Sequence, residues 1–348
     1  MALRSDEDMK RRSIVRLPKA HLHLHLEGSA RPSTIKELAE LEGMPDVEQT
    51  FSNLPEFVQV YAKAAAVIKR PESLKRICRE LVEDEAAQGV WYTEPMGVPQ
   101  YLGNQHPFRG AQIRLKEFDT DGAWAIMQEG FAEGTRATGT EVGLMMGINR
   151  GFGVDGTVEA ARFAARNKDN GIVAFGIAGD ERIPPEPFAP ACHIAREAGL
   201  LVVPHAGEAM GPESVWAAIK STFPHRIAHG VRAVEDPFLL SYLSDHQITC
   251  DVAPTSNLLL GVAQDIELHQ LPKLMDAGVP ITLNTDDQLF FGALICDEYR
   301  LVRDTFNLTD GQLADFARVS ARASGAPEHV KQRILKGIDA WLESEPDE

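Results

Sequence analysis

Four short stretches gather side chains that hydrolytic metalloenzymes use. KAHLHLHLEG alternates His21, His23 and His25, and PHAGE places Glu208 three residues after His205. RIAHGVR carries His229 before a glycine, and ITLNTDDQLFFG carries the adjacent carboxylates Asp286 and Asp287. Alternate residues of a strand share a face, so all three histidines of the first stretch are expected on one face, with His23 and His25 forming a two-ligand claw. A lone HxH pair is a weak signal. Each stretch also has a plain alternative: solvated histidines on an edge, a core histidine at 205, a turn over His229, or an aspartate N-cap. A cap explains one aspartate but not two, since neighbouring carboxylates repel unless a cation or donor separates them. Glu208 is costly to bury without a partner. Taken together, two or three histidines and a carboxylate make a catalytic divalent-metal site with room for water, and a zinc-bound water ionises near neutral pH.

The elements that must position these residues follow a regular rhythm. Short apolar runs fall at 20–25, 90–94, 142–149, 172–176, 200–205, 226–229, 248–252 and 281–284. Several, such as LLVVP and IVAFG, are continuously apolar, as strands buried on both faces are. Amphipathic stretches with three- and four-residue spacing lie between them, at 157–167, 188–198, 234–245 and 267–277. Eight strands alternating with helices predict an α/β fold, a parallel (β/α)8 TIM-type barrel. The chemical residues then sit at or just past the C-terminal ends of strands 1, 5, 6 and 8, the rim that carries active sites in such barrels.

The segment 33–79 holds more helix than one crossover needs and is expected to cover a mouth of the barrel. Within it Leu54, Phe57, Val58 and Tyr61 share a face and either wall a pocket or join the core, core being the commoner fate. The stretch 97–122 reads as a long loop, and 310–324 and 327–342 as terminal helices within a C-terminal block, 310–345. GFGVDG at 151–156 fits GxGxxG, but a lone match is weak and it is read as a loop. No Pro/Gly/Ser-rich linker divides the chain, so a single domain over 1–348 is expected, with 1–16 flexible.

Composition narrows the partners. The chain has 348 residues, 44% hydrophobic and 25% charged, which excludes wholesale disorder. Its net charge of −16 disfavours nucleic acid and anionic membranes. Cys78, Cys192, Cys250 and Cys296 form no CxxC pair, and no apolar run resembles a signal peptide or a membrane span. A cytoplasmic enzyme of small molecules is the expectation.

The motifs HLHLEGSARP, AGDE, PHAGE, RIAHGVR and LNTDDQLFFG, in this order, resemble the adenosine deaminase family of the amidohydrolase superfamily, over 17–292. The HxE…PCxxC signature of the separate cytidine and tRNA-adenosine deaminases is absent. The resemblance implies that His23, His25, His205 and Asp286 bind one Zn2+ per chain, other divalent metals suiting the set as well. It implies that Glu208 protonates purine N1, that His229 orients the attacking hydroxide, and that Asp287, Gly179 and Glu27 meet N7, N3 and the sugar 5′-hydroxyl. The implied reaction converts a 6-aminopurine nucleoside to the 6-oxopurine and ammonia. The sequence departs from the family pattern at Met96, Val98 and Gln288 and in the stretch APTSN, which bears on the substrate rather than the chemistry. The alternatives are free adenine, a 5′-modified nucleoside such as aminodeoxyfutalosine, another C–N or ester bond, or a noncatalytic binding protein.

Overall fold

The computed structural model describes residues 11–52, 54–99 and 119–347, and the side chains of Leu54 and Pro55 lie outside that description. Eight parallel strands form the frame: β1 (Lys19–His25), β2 (Val90–Gly97), β3 (Leu144–Asn149), β4 (Ile172–Ala178), β5 (Leu201–Ala206), β6 (Arg226–His229), β7 (Thr249–Val252) and β8 (Ile281–Leu283). Each pairs with its successor. A parallel bridge between Leu24 and Asp286 joins the first strand to the end of the last and closes the barrel. The expected third strand, 142–149, is broken at Gly143, where a Cβ would lie 2.2 Å from the Tyr92 hydroxyl. The short piece Glu141–Val142 pairs with β2.

Helices α1 (Pro32–Leu41), α2 (Leu54–Ala66) and α3 (Pro71–Ala87) separate β1 from β2. Around the barrel follow α4 (Thr120–Thr138), α5 (Thr157–Arg166), α6 (Ala189–Glu197), α7 (Pro212–Thr222), α8 (Pro237–Asp245), α9 (Pro254–Leu259) and α10 (Leu271–Asp276). After β8 come α11 (Gln288–Phe291), α12 (Ile295–Phe306), α13 (Asp310–Ala323) and α14 (Glu328–Glu343). Of the expected loop at 97–122, residues 100–118 lie outside the described residues, and Asp119 caps α4 through the Gly122 N–H. Residues 1–10 of the expected flexible N-terminus also lie outside them, whereas Ile14 is fully buried.

Two expected helices are shorter than their periodicity. In 234–245, Asp236 is extended and accepts the Phe238 N–H, so the α-helix starts at Pro237. In 267–277, His269 is extended with ψ 145, which separates a 3-10 turn from α10. Local side-chain bonds compete with helix propagation at both points.

The barrel interior is layered. Met96, Met145, Ala174, Val203 and Ala228 form a small apolar cluster within it. Arg226, fully buried, donates to Asp251 Oδ2 at 2.9 Å, to Glu94 Oε2 at 2.8 Å and to the Ala323 carbonyl at 2.8 Å. A buried cation needs such partners, because desolvation is otherwise uncompensated. Among the described residues no helix is long and apolar enough to cross a membrane.

Candidate active site

The C-terminal ends of β1, β5, β6 and β8 meet at one rim. One ligand atom each from His23, His25, His205 and Asp286 lies within 4.8 Å of the others. Asp286 Oδ1 is 3.4 Å from His23 Nε2 and 3.2 Å from His25 Nε2. Among the described residues, the buried His23 Nε2 has no hydrogen-bond partner.

The hydrogen bonds behind the rings explain why these nitrogens are free. His23 Nδ1 faces the Asp251 carbonyl at 3.3 Å, and His205 Nδ1 faces the Ile177 carbonyl at 2.8 Å. A carbonyl only accepts, so in each neutral ring Nδ1 carries the proton and Nε2 presents a lone pair, as a metal ligand must. The donor set and its spacing fit a divalent transition metal. Asp286 is pinned from its other oxygen, Oδ2 accepting the Ser256 hydroxyl at 2.7 Å. Burial disfavours its charge, but His23 and His25 in their protonated form outweigh burial and hold the carboxyl well below its ordinary range.

His21 departs from expectation. The β1–β2 register shifts between His21 and Leu24, and His21 does not join the cluster. Its Nδ1 lies 2.7 Å from Glu85 Oε2 on α3, and its Nε2 accepts the Thr285 N–H at 3.1 Å. A register irregularity breaks the simple alternation on which the shared face rested. Gln288 joins the same network through Glu85 Oε1 at 2.7 Å, so this departure from the family pattern braces the strand-8 turn.

Glu208 and His229 stand beside the cluster, with Glu208 Oε2 3.5 Å from His229 Nε2. Burial, then the nearby Asp286 and Glu181, push the Glu208 carboxyl well above its ordinary value. Burial, then His23, pulls the His229 imidazole down to about 3. The loop bearing Glu208 is gripped from two sides. Glu181 accepts the N–H groups of Glu208 and Met210 at 3.2 and 2.6 Å, and Arg150 donates to the His205 carbonyl. His229 and Asp286 both have positive φ, 67 and 62. Such backbone strain persists only where surrounding structure over-determines it, and it clusters at functional sites.

Asp287 is buried, and among the described residues its Oδ1 has no hydrogen-bond partner. Burial first, and Asp286 and Glu208 after it, raise its carboxyl well above its ordinary value. Gly28 makes room for it, since a Cβ there would lie 1.6 Å from Asp287 Oδ1. Gly179 follows β4 with φ 91, and a Cβ on it would meet Asn149 Oδ1 at 2.4 Å. Glu27 is buried in the turn after β1, and the Tyr61 hydroxyl of α2 lies 3.2 Å from its Oε2.

The stripe on α2 divides rather than acting as one face. Phe57 is core, its ring stacked on Phe291 at 5.3 Å. Tyr61 reaches the site, 6.3 Å from the His25 ring, whereas Val58 is 54% exposed. The Leu54 side chain lies outside the described residues. Several residues went unread in the sequence: Arg150, Glu181, Ser256 and Asn257. The available signal was their position just past strand ends, Glu181 inside AGDE, Ser256 and Asn257 inside APTSN, and Arg150 directly before GFGVDG.

The profile described as adenosine deaminase matches residues 18–341. A Streptomyces virginiae protein bearing the provisional name adenosine/adenine deaminase is 39% identical over 345 residues, covering 95% of this chain and 98% of the relative. The aminodeoxyfutalosine deaminase of Streptomyces coelicolor is 33% identical over 348 residues, covering 95% of this chain and 87% of the relative. The crystal structure of adenine deaminase from Arthrobacter aurescens superposes with a TM-score of 0.83 at 26% identity, covering 94% of this chain and 99% of that one.

Proposed function

From the premise that this chain belongs to the adenosine deaminase family, we propose that it hydrolyses the 6-amino group from an adenine-type purine, with an adenosine-like nucleoside as substrate. The observation that carries this reading is the convergence of His23, His25, His205 and Asp286 with Glu208, His229 and Asp287 at one rim. The balanced reaction adds water at C6 and releases ammonia, leaving the 6-oxopurine.

His23, His25, His205 and Asp286 would hold the cation, and zinc suits their nitrogen and oxygen donors. When bound, such an ion makes water a competent nucleophile near neutral pH. The chain's own residues do the rest. Glu208, whose burial favours the protonated form, delivers a proton to N1 and makes C6 electrophilic. His229 faces the attacking oxygen. Asp287, whose Oδ1 has no hydrogen-bond partner among the described residues, meets the N7 edge, and the Gly179 backbone meets N3. In the nucleoside reading, Glu27, buried beside Tyr61, receives the sugar 5′-hydroxyl.

A second reading, free adenine, is supported by the adenine deaminase named among the structural relatives and by adenine deaminases 33% identical to this chain. One assay separates them. Metal-loaded protein is incubated with adenosine, 2′-deoxyadenosine, adenine, methylthioadenosine and aminodeoxyfutalosine while ammonia is followed. Turnover of adenosine is expected. Turnover of adenine alone rejects the nucleoside, and silence on all five rejects purine deamination.

A further inference from the structure

We infer that Asn257, oriented by His269, locks His229 as an Nε2–H donor facing the reaction centre and thereby excludes it from the metal's ligands. The chemical consequence rests on the deaminase reading, but the tautomer itself does not.

A chain of donors leads to His229 from a backbone amide. The Leu271 N–H donates to His269 Nδ1 at 3.0 Å. A backbone N–H cannot accept, so the proton of the neutral His269 ring sits on Nε2. Burial pulls His269 down to about 4, so the neutral ring is the form present at pH 7. Its Nε2–H then donates to Asn257 Oδ1 at 3.1 Å. That bond sets which end of the amide is which, and the NH2 of Asn257 faces His229 Nδ1 at 3.4 Å. Because an amide NH2 only donates, His229 Nδ1 must accept. The remaining ring proton is therefore on His229 Nε2, the nitrogen 3.5 Å from Glu208 Oε2.

This polarity is opposite to that of His23 and His205, whose Nδ1 atoms face carbonyls. The distinction matters because the geometry alone permits two ligand sets. His23, His25, His205 and Asp286 form one, and Glu208, His229 and Asp286 form the other. A nitrogen that carries a proton cannot ligate a metal, so the relay selects the first set and leaves His229 to donate to the oxygen that attacks C6. The relay also gives a reason for the interrupted helix at His269: its extended backbone separates the turn from α10, and its ring bridges Leu271 and Asn257. Asn257 lies in APTSN, on the same helix start as the Ser256 that pins Asp286. One short element thus sets both a ligand and the donor beside it. Asn257 and His269 are positioning residues.

The test reads protons directly. In zinc-loaded wild-type protein labelled with 15N-histidine, long-range proton–nitrogen spectra should show His229 with a bare Nδ1 and a protonated Nε2. His23 and His205 should show the reverse. A protonated Nδ1 on His229 overturns the inference whether or not any purine is turned over, so it is distinguishable from failure of the deaminase reading. Asn257→Asp presents a carboxylate in place of the NH2 and should draw the proton to Nδ1. Its kcat should fall about 10–100-fold with KM and metal content little changed. His269→Phe should lose a comparable factor. His269→Gln, which can still donate to Asn257, should recover most of it. Asn257→Asp with both wild-type kcat and the wild-type tautomer would also overturn the inference.

Discussion

His205 ends β5 and Glu208 lies three residues on, in the loop that follows, yet their environments assign them different work. The carboxyl is buried among other acids, which favours its neutral form, whereas His205 presents a bare nitrogen because Ile177 takes its ring proton. Glu208→Gln should therefore keep the metal and lose about 10²–10⁴-fold in kcat, and His205→Ala should lose metal as read by elemental analysis. Activity near wild type in Glu208→Gln would remove it as the acid. Gly28 carries no chemistry but is sterically committed, since its missing Cβ is the space that Asp287 Oδ1 occupies. Gly28→Ala should displace that carboxylate and lower kcat/KM on the order of 10²-fold at unchanged metal content. Unchanged kinetics would show that Asp287 does not touch substrate.

At the scale of elements, α9 is the part that joins chemistry to scaffold. Its first turn carries Ser256 and Asn257 to the site, and Glu298 of α12 accepts the Thr255 N–H at 3.2 Å from behind. Burial raises the Glu298 carboxyl to about 8, against its bonds from Thr255. A raised carboxyl binds its proton more tightly in the fold than in the unfolded chain. Its contribution is thus complete below the ordinary pKa of 4.5 and is lost as pH climbs through about 8. Glu298→Gln has no such proton. Its stability relative to wild type should rise between pH 5.5 and 8, with a slope of at most about 1.4 kcal/mol per pH unit. Urea unfolding at both pH values measures this, and parallel curves would place the ionised carboxylate in the fold throughout.

For the whole molecule, the barrel is held by more than apolar burial. Arg226 ties β2, β6 and β7 together through Glu94 and Asp251 and reaches the last residue of α13 through the Ala323 carbonyl. Its two acids are fully buried. Arg226→Met would leave both without their cation and should destabilise the protein by about 3–5 kcal/mol in urea unfolding. A loss under about 1 kcal/mol would mean that the acids take up protons and pack as neutral groups. The barrel also explains why distant motifs cooperate, since closure through Leu24 and Asp286 brings residues over 260 positions apart into one site.

Much of this was legible in the amino-acid sequence. Apolar runs separated by amphipathic stretches determine the barrel, because strands buried on both faces and helices buried on one face leave different periodicities. The polar residues stranded at run ends, His23, His25, His205, His229, Asp286 and Asp287, marked the rim for the same reason: buried polarity needs a purpose. Tertiary structure alone decided how those groups are partnered. His21 had the same spacing as His23 but left the cluster when the register shifted. Val58 kept helical spacing but faces outward. The periodicity at 234–245 and 267–277 carried no sign of the extended residues Asp236 and His269 that interrupt it. The proton on His229 depends on Asn257, His269 and the Leu271 amide, which belong to other elements of the barrel. A hydrogen bond is decided by which donor and acceptor approach each other in space, and linear spacing does not carry that information across elements.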